Sequence, residues 1–233
     1  MIVYLPPGYD TSDVRYPVLY LQDGQNLFDA ATAFMGNEWR ADMIADDEIR
    51  RERVEPLILV GLYNTGVRRI SEYTPTRDRR ILKGGKAERY ALMLAREVKP
   101  LIDQTYRTRK SVADTGVGGS SLGALVSLVA GLRYPRVFGK LALMSPSVWW
   151  DEHAILSPIE TWKAVRRPRV WLDTGTAEGN HPTKVVADAR LMRDALIAKG
   201  VELHYEEAQG HQHNEGAWSA RFGGVLEYLF PKK

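Results

Sequence analysis

The chain of 233 residues contains no cysteine. This absence excludes disulfide frameworks, thiolate zinc sites and catalysis by a cysteine nucleophile. Long hydrophobic runs are also missing, since no apolar stretch approaches the roughly 20 residues of a membrane span. The first nine residues lack the basic start and apolar core of a signal peptide. We therefore expect a cytoplasmic protein without a membrane partner, and an exported form whose leader has been removed stays open.

A strong excess of either charge is absent as well, because 32 basic residues face 29 acidic ones. Acidic residues separate the arginine doublets, which therefore form no continuous basic stripe, and we expect no nucleic-acid partner. The 44% hydrophobic content excludes a disordered chain. Without repeats or linkers, the length predicts a single domain over 1–233. The sequence does not indicate an oligomeric state.

Short aliphatic and β-branched runs alternate with longer segments of helical periodicity. Strands are predicted at 17–22, 56–63, 112–118, 140–144, 169–173 and 201–206. Helices are predicted at 39–53, 87–106 with a kink at Pro100, 122–134, 184–199 and 216–230. Most strands are almost continuously apolar, as buried parallel strands are, whereas 201–206 alternates and suits a sheet edge. This alternation predicts an α/β fold with helices on both faces and ligands at the carboxyl ends of the strands.

The segment Gly119-Ser120-Ser121-Leu122-Gly123 matches the G-x-S-x-G pattern, with a strand before it and a helix after it. A sharp turn there would lift the Ser121 hydroxyl into a cleft, and flanking glycines avoid collisions with the neighbouring backbone. The helix start offers free N–H groups to an oxyanion. Ser120 competes as nucleophile but lacks the symmetric glycines. Ser121 is therefore the predicted nucleophile.

A nucleophilic serine needs a base, and the base needs an acid that fixes its tautomer. His211 and His213 directly follow the last predicted strand, where parallel-sheet hydrolases carry this histidine. The loop after 169–173 supplies Glu178, which lies clear of the strand end. Asp173 is the alternative acid, but it is expected still to belong to the strand. Serine, acid and histidine thus follow one another in the order of these hydrolases.

The segment Asp23-Gly24-Gln25, after the first predicted strand, suits a second oxyanion donor. Gly24 permits a tight turn, and the Gln25 N–H could then point to the same spot as the Leu122 N–H. An ordinary Asp-Gly turn explains the spacing equally well. Asp23 and Gly24 are expected to border the substrate.

Three further features concern specificity and cofactors. Trp149 and Trp150 follow the strand at 140–144 and are expected at the cleft rim, although packing under a loop is as good an explanation for one of them. The long, apparently structureless segment 64–86 could bind an anionic substrate through its five arginines, or be a solvated loop. These are Arg68, Arg69, Arg77, Arg79 and Arg80. His211, His213 and Glu215 alternate like metal ligands, but His213 is already explained as a base, so neither metal nor cofactor is expected.

Six ordered segments together resemble the putative esterase family of α/β-hydrolases. They are Val3-Tyr4-Leu5-Pro6-Pro7-Gly8-Tyr9, the run from Tyr20 to Asp29, Glu72-Tyr73-Thr74-Pro75, Gly118–Gly123, Ser145-Pro146-Ser147-Val148-Trp149-Trp150 and His213-Asn214-Glu215-Gly216-Ala217-Trp218. The family includes enterochelin-esterase-like, S-formylglutathione-hydrolase-like, feruloyl and acetylxylan esterases.

The resemblance implies the α/β-hydrolase fold and specific roles. Ser121 matches the nucleophile and Glu178 the acid, while Gln25 and Leu122 match the oxyanion donors. His213 rather than His211 matches the base, because the family histidine stands five residues before a tryptophan, here Trp218.

The implied activity is hydrolysis of a small-molecule ester with a small or aromatic acyl group, such as a feruloyl, acetyl or siderophore-type ester, through an acyl-enzyme. Two alternatives remain. An acyltransferase would pass the acyl group to a sugar or alcohol, and a non-catalytic relative would only bind. Such relatives typically lose the nucleophile or the histidine, whereas both positions are filled here.

Overall fold

A computed structural model describes residues 1–163 and 165–232. Its strands, in chain order, are β1 (Ile2–Tyr4), β2 (Val18–Gln22), β3 (Ile58–Leu62), β4 (Arg77–Asp78), β5 (Lys83–Gly84), β6 (Thr115–Ser120), β7 (Lys140–Met144), β8 (Arg169–Gly175) and β9 (Glu202–Ala208). Its helices are α1 (Ala41–Arg50), α2 (Arg69–Tyr73), α3 (Ala87–Met93), α4 (Lys99–Thr105), α5 (Leu122–Arg133), α6 (Leu156–Thr161), α7 (Pro182–Ala198) and α8 (Glu215–Leu229). None of the helices in these ranges is long and apolar enough to cross a membrane.

The main sheet has seven strands in the order β1-β3-β2-β6-β7-β8-β9. β1 pairs antiparallel with β3, and the other neighbours pair parallel. The predicted fold class, a mostly parallel sheet between helices, is confirmed, and β9 is an edge strand as expected. The carboxyl ends of the parallel strands meet at one edge of the sheet, which brings the loops after β2, β6, β8 and β9 together.

Apolar side chains cover both faces of the sheet because the strands are hydrophobic at nearly every position. In β2, for example, Val18 and Tyr20 join one buried cluster, while Leu19 and Leu21 join the other. Helices α3, α5 and α7 contribute to the first cluster, and α1 and α8 contribute to the second. This double burial holds the strand ends, and hence the loops they carry, in fixed relative positions.

Several element boundaries differ from the sequence-based prediction. β6 begins at Thr115 rather than 112, because Val112–Asp114 forms a turn of 3-10 helix, and it continues to Ser120. The predicted helix over 87–106 is interrupted by a π-helical turn, Leu94–Val98, just before Pro100. Proline lacks the amide proton and crowds the preceding turn, so the irregularity lies directly before the ring.

The segment 64–86 is ordered, in contrast to the structureless loop expected from its composition. It contains the 3-10 turn Gly66–Arg68, helix α2 and the hairpin β4–β5. Tyr73 and Thr74 are fully buried, and the Tyr73 ring packs edge-on against Tyr90 of α3 at 5.2 Å between centroids. Packing of buried side chains therefore fixes this segment, although its arginine content suggests a solvated loop.

Gly24 begins the one-turn 3-10 helix Gly24–Asn26 that follows β2, and its backbone lies against β3. A Cβ at this position would lie 2.4 Å from the Gly61 carbonyl carbon and 2.7 Å from the Leu62 nitrogen. Gly24→Ala is therefore expected to lower the free energy of unfolding by about 1–3 kcal/mol, since backbone atoms must shift.

Urea unfolding gives the measurement, read as a lower midpoint at unchanged slope. Gly216→Ala is the matched control, because its new Cβ meets nothing closer than 3.6 Å at the start of α8. This control is expected to be neutral or to stabilise by up to about 1 kcal/mol. Equal midpoints for both variants would contradict the steric argument.

Candidate active site

Ser121 lies between the end of β6 and the start of α5, in a strained conformation with φ 57° and ψ −123°. Its N–H donates to the Met144 carbonyl at 3.0 Å, which ties the turn to β7. Both flanking glycines face Gln22: a Cβ on Gly119 or Gly123 would lie 3.0 Å from the Gln22 Cβ. A side chain on either glycine would therefore press against the Gln22 side chain of β2, and one on Gly119 would also lie 3.2 Å from the Gly123 carbonyl carbon.

His213 lies in the loop between β9 and α8 and contacts the Ser121 hydroxyl. Its Nε2 is 2.9 Å from Ser121 Oγ, and its Nδ1 is 2.7 Å from Glu178 Oε2. The Asn214 side chain caps α8 by accepting the Ala217 N–H at 2.9 Å. Trp218, one helical turn on, packs edge-on against the imidazole at 5.0 Å between centroids. The five-residue spacing to the tryptophan therefore corresponds to a direct ring contact that orients His213.

Glu178 lies in the loop after β8 with only 1% of its surface exposed. Besides His213, it accepts the Gly175 N–H and the Ser145 hydroxyl, both at 2.6 Å from Oε1. Burial alone would raise the pKa of this carboxyl, but the hydrogen bonds from His213 and Ser145 bring it below its ordinary value. The group is therefore a carboxylate near neutral pH.

Asp173, the alternative acid, belongs to β8 and is fully buried away from the imidazole. Its carboxylate forms an ion pair with Arg221 at 3.0 Å and accepts the Trp171 Nε1–H at 2.8 Å. Burial raises its pKa, and the charge of Arg221 opposes that rise. The structure therefore brings Ser121, His213 and Glu178 together and assigns Asp173 to a separate buried pair.

The expected oxyanion donors lie at the two helix starts that border this cleft. Leu122 is the first residue of α5, and Gln25 lies in the first turn of Gly24–Asn26, so neither amide has an intrahelical acceptor available. The backbone of Asn64 holds the Gln25 side chain, since Gln25 Oε1 accepts the Asn64 N–H at 3.2 Å. Both amides therefore stay candidates for the predicted oxyanion donors.

The cleft beside Ser121 has a volume of about 360 Å³, and its lining includes the ion pair between Arg69 and Asp23. Arg69 donates two hydrogen bonds of 2.7 Å to Asp23, and Asn64 Nδ2 donates a third at 2.7 Å. The charge of Arg69 is therefore neutralised within the cleft wall. Of the other arginines considered for anion binding, Arg80 pairs with Asp78 and Arg77 donates to the Leu82 carbonyl.

The two tryptophans after β7 have different environments. Trp150 is 2% exposed, and its Nε1–H donates to the Thr76 carbonyl at 3.1 Å. Trp149 is 49% exposed. Packing beneath the β4–β5 segment therefore accounts for Trp150, the explanation left open for one of the pair, whereas Trp149 offers a ring surface to solvent.

The alternating residues considered as metal ligands have other partners. His211 Nδ1 lies 3.1 Å from Arg221 Nη1, and His213 contacts Glu178. Glu215 lines the cleft, where Asn26 Nδ2 donates to it at 3.3 Å. Burial raises the pKa of Glu215, and the charge of Asp23 adds to this rise. Over residues 1–163 and 165–232, no group of three or more His, Cys, Asp or Glu side chains is arranged to hold a metal ion.

Comparison with known proteins shows the family of the chain. The profile of the family described as Putative esterase matches residues 1–229. The chain belongs to this family. It is thus a carboxylic ester hydrolase, and the resemblance inferred from the six sequence segments is confirmed.

Individual relatives of this esterase differ in length and architecture. The uncharacterized protein YbbA of Bacillus subtilis is 27% identical, over 99% of this chain and 92% of its own. An endo-1,4-beta-xylanase/feruloyl esterase of Xylanibacter ruminicola is 26% identical, over 98% of this chain but only 29% of its own length. The enterobactin esterase FES from Shigella flexneri, crystallised in the presence of enterobactin, superposes with a TM-score of 0.76 at 20% identity, over 97% of this chain and 54% of that one. The last likeness establishes the α/β-hydrolase fold.

The esterase site contains two serines that sequence reasoning did not assign. Ser147 Oγ lies 3.0 Å from Ser121 Oγ, and its N–H donates to the Ser121 carbonyl at 3.3 Å. Ser145 Oγ contacts Glu178. Both belong to the Ser145-Pro146-Ser147 segment after β7, which served only as evidence of family resemblance. The position of this segment at the end of a strand beside β6 was the signal in the sequence that could have placed it near Ser121.

Proposed function

We propose that this esterase cleaves carboxylic esters through an acyl-enzyme on Ser121, with His213 as the general base and Glu178 as the acid that orients it. The observation that carries the proposal is the continuous hydrogen-bond chain from Ser121 Oγ through His213 to Glu178, with links of 2.9 and 2.7 Å. A nucleophile, a base and a carboxylate in this contact are the requirements for acyl transfer by a serine.

In the first step His213 Nε2 removes the hydroxyl proton while Ser121 Oγ attacks the ester carbonyl. The tetrahedral oxyanion accepts hydrogen bonds from the Leu122 and Gln25 N–H groups, each worth roughly 3–4 kcal/mol in the transition state. His213 then gives its proton to the alcohol oxygen as the ester C–O bond breaks. Water enters, and the same base activates it to release the acid and restore the Ser121 hydroxyl.

Glu178 acts on both steps without accepting a proton. Its carboxylate accepts the Nδ1–H of His213 and so leaves Nε2 free to receive the proton from Ser121. It also stabilises the imidazolium that forms during attack. The two donors on its other oxygen, Gly175 and Ser145, keep the carboxylate oriented while the charge on His213 changes.

We further propose a small or aromatic acyl ester as the substrate. The name feruloyl esterase of one relative supports an aromatic acyl group, and the name enterobactin esterase of another supports a siderophore-type ester. The 360 Å³ cleft is large enough for a single aromatic ring, although neither Trp149 nor Trp150 is among its lining residues. Because Asp23 neutralises Arg69, a neutral acyl group is favoured over an anionic one.

An ester panel that varies acyl group and alcohol independently, with and without an added sugar acceptor, identifies the substrate and separates hydrolysis from acyl transfer.

Covalent labelling tests the mechanism. A fluorophosphonate probe is expected to form one Oγ–P bond per chain at Ser121, with loss of fluoride, and to abolish hydrolysis of p-nitrophenyl acetate. Peptide mass spectrometry locates the adduct, and a rapid burst of one p-nitrophenol per active site supports an acyl-enzyme. Heat-denatured protein, in which Ser121 has lost its base, is the control and should not be labelled. An adduct at another residue, or full inactivation without one at Ser121, contradicts the proposal.

A further inference from the structure

Ser145 lies where three side chains converge behind the proposed triad. Its Oγ is 2.6 Å from Glu178 Oε1, 2.8 Å from Arg221 Nη2 and 3.0 Å from Trp218 Nε1. The residue is 1% exposed and has a left-handed φ of 43°. A non-glycine residue in this conformation is strained, so the surrounding structure holds Ser145 there against its backbone preference.

The partners dictate which way the Ser145 hydroxyl points. The guanidinium of Arg221 and the indole N–H of Trp218 can only donate hydrogen bonds, and a serine hydroxyl has one proton. Ser145 Oγ must therefore accept from both and direct its proton to Glu178. As a result one oxygen of Glu178 is always occupied by donors, and the other is left to His213.

Arg221 is the charged member of this arrangement. Its side chain is 2% exposed, and Nη2 contacts both Ser145 and the fully buried Asp173. Its Nε is buried with no hydrogen-bond partner among the described residues. A buried ion pair adds little to stability compared with apolar residues of the same volume, and an unpaired N–H costs free energy. Stability alone therefore does not explain why the buried Arg221 contacts the Ser145 hydroxyl that donates to Glu178.

We propose that Ser145 and Arg221 are positioning residues, which keep Glu178 ionised and determine which of its oxygens faces His213. This inference rests on the proposed function. Arg221 donates to Ser145 Oγ, so the Ser145 proton points to Glu178, and the positive charge of Arg221 lies beside that hydroxyl. Asp173 holds Arg221 in place through their ion pair. The hydrogen bond from Ser145 then orients the Glu178 carboxylate and stabilises its negative charge. None of the three touches the substrate or the reacting atoms in this arrangement.

The test is the pH dependence of kcat/KM for Ser145→Ala. Without the hydroxyl, the Glu178 carboxylate is less stabilised, so the pKa of Glu178 rises. Protonation of Glu178 to an inactive form then begins at higher pH. The acid limb is therefore expected to move toward higher pH by about one unit, and kcat is expected to fall about 10- to 100-fold. The other charges around the imidazole, on Glu215 and on the Asp23–Arg69 pair, are unchanged in this variant.

Ser127→Ala is the matched control, because Ser127 is also a fully buried serine, and it donates to the Gly123 carbonyl at 2.8 Å within α5. Its acid limb should coincide with that of the parent protein. An unshifted limb in Ser145→Ala, or equal shifts in both variants, overturns the proposal. Arg221→Lys, which keeps the charge, should shift the limb less than Arg221→Met, and an equal shift in the two would also count against it. Failure of the proposed function would be seen separately, as fluorophosphonate labelling away from Ser121.

Discussion

Replacing Ser121 by alanine is expected to lower kcat for p-nitrophenyl acetate by about 10⁴- to 10⁶-fold, because the attacking oxygen is removed. The free energy of unfolding should change little, since the Ser121 hydroxyl contacts only His213 and Ser147 among the described residues. Initial rates give the activity, and a urea titration of the same preparation shows whether the fold is intact. A burst of p-nitrophenol should also be absent.

Ser120→Ala provides the comparison, because Ser120 is the competing serine of the motif. It ends β6, is 5% exposed and also borders the cleft. We expect this variant to stay within about tenfold of the parent kcat, in keeping with a packing role. If Ser120→Ala were inactive while Ser121→Ala hydrolysed esters at the parent rate, the nucleophile would be reassigned.

Glu178→Gln is expected to lower kcat by about 10⁴-fold. The glutamine oxygen can still accept from Gly175 and Ser145, which leaves its NH₂ facing His213 Nδ1. His213 would then carry its proton on Nε2, where it cannot accept one from Ser121. Because most buried hydrogen bonds survive, the loss in free energy of unfolding should stay within about 2 kcal/mol.

Asp173→Asn is the matched change at the alternative acid, and its main effect should fall on stability. Its loss of kcat, which acts through Arg221 and Ser145, should stay well below the loss in Glu178→Gln. The substitution leaves the buried charge of Arg221 uncompensated, which costs about 3–5 kcal/mol. For a chain of this size the melting temperature should fall by about 6–20 °C. Calorimetry and initial rates on both variants separate the roles. A large loss of kcat in Asp173→Asn with Glu178→Gln active would make Asp173 the acid.

The sequence predicted the part of the site that depends on strand ends. Ser121, Glu178 and His213 each follow a different strand of the parallel sheet, and the carboxyl ends of such strands share one edge. Glycine spacing then singled out Ser121, and the family resemblance singled out His213 over His211 by its distance from Trp218. The structure brings these three side chains into contact, and their catalytic roles stay a proposal until the variants are measured.

The supporting residues could not be predicted in the same way. Arg221 lies on α8 and Asp173 on β8, and nothing in either local pattern shows that the two meet in the interior. His204 alternates with apolar residues along the edge strand β9, a pattern that favours the solvated face, yet its ring stacks on Trp171 at 4.2 Å between centroids. Likewise, the arginine-rich composition of 64–86 concealed the buried Tyr73. Tertiary packing decides such positions, and it overrides what a run of polar or charged letters indicates.

The conformation of Ser121 also bears on how this protein would change under selection for heat resistance. Its φ of 57° with ψ −123° is a backbone geometry that glycine adopts freely and serine does not. Selection for thermal stability alone is therefore expected to favour Ser121→Gly, which would remove the proposed nucleophile. Directed evolution of this protein for heat resistance therefore needs an activity assay in every round, because the proposed nucleophile has a backbone conformation that favours glycine.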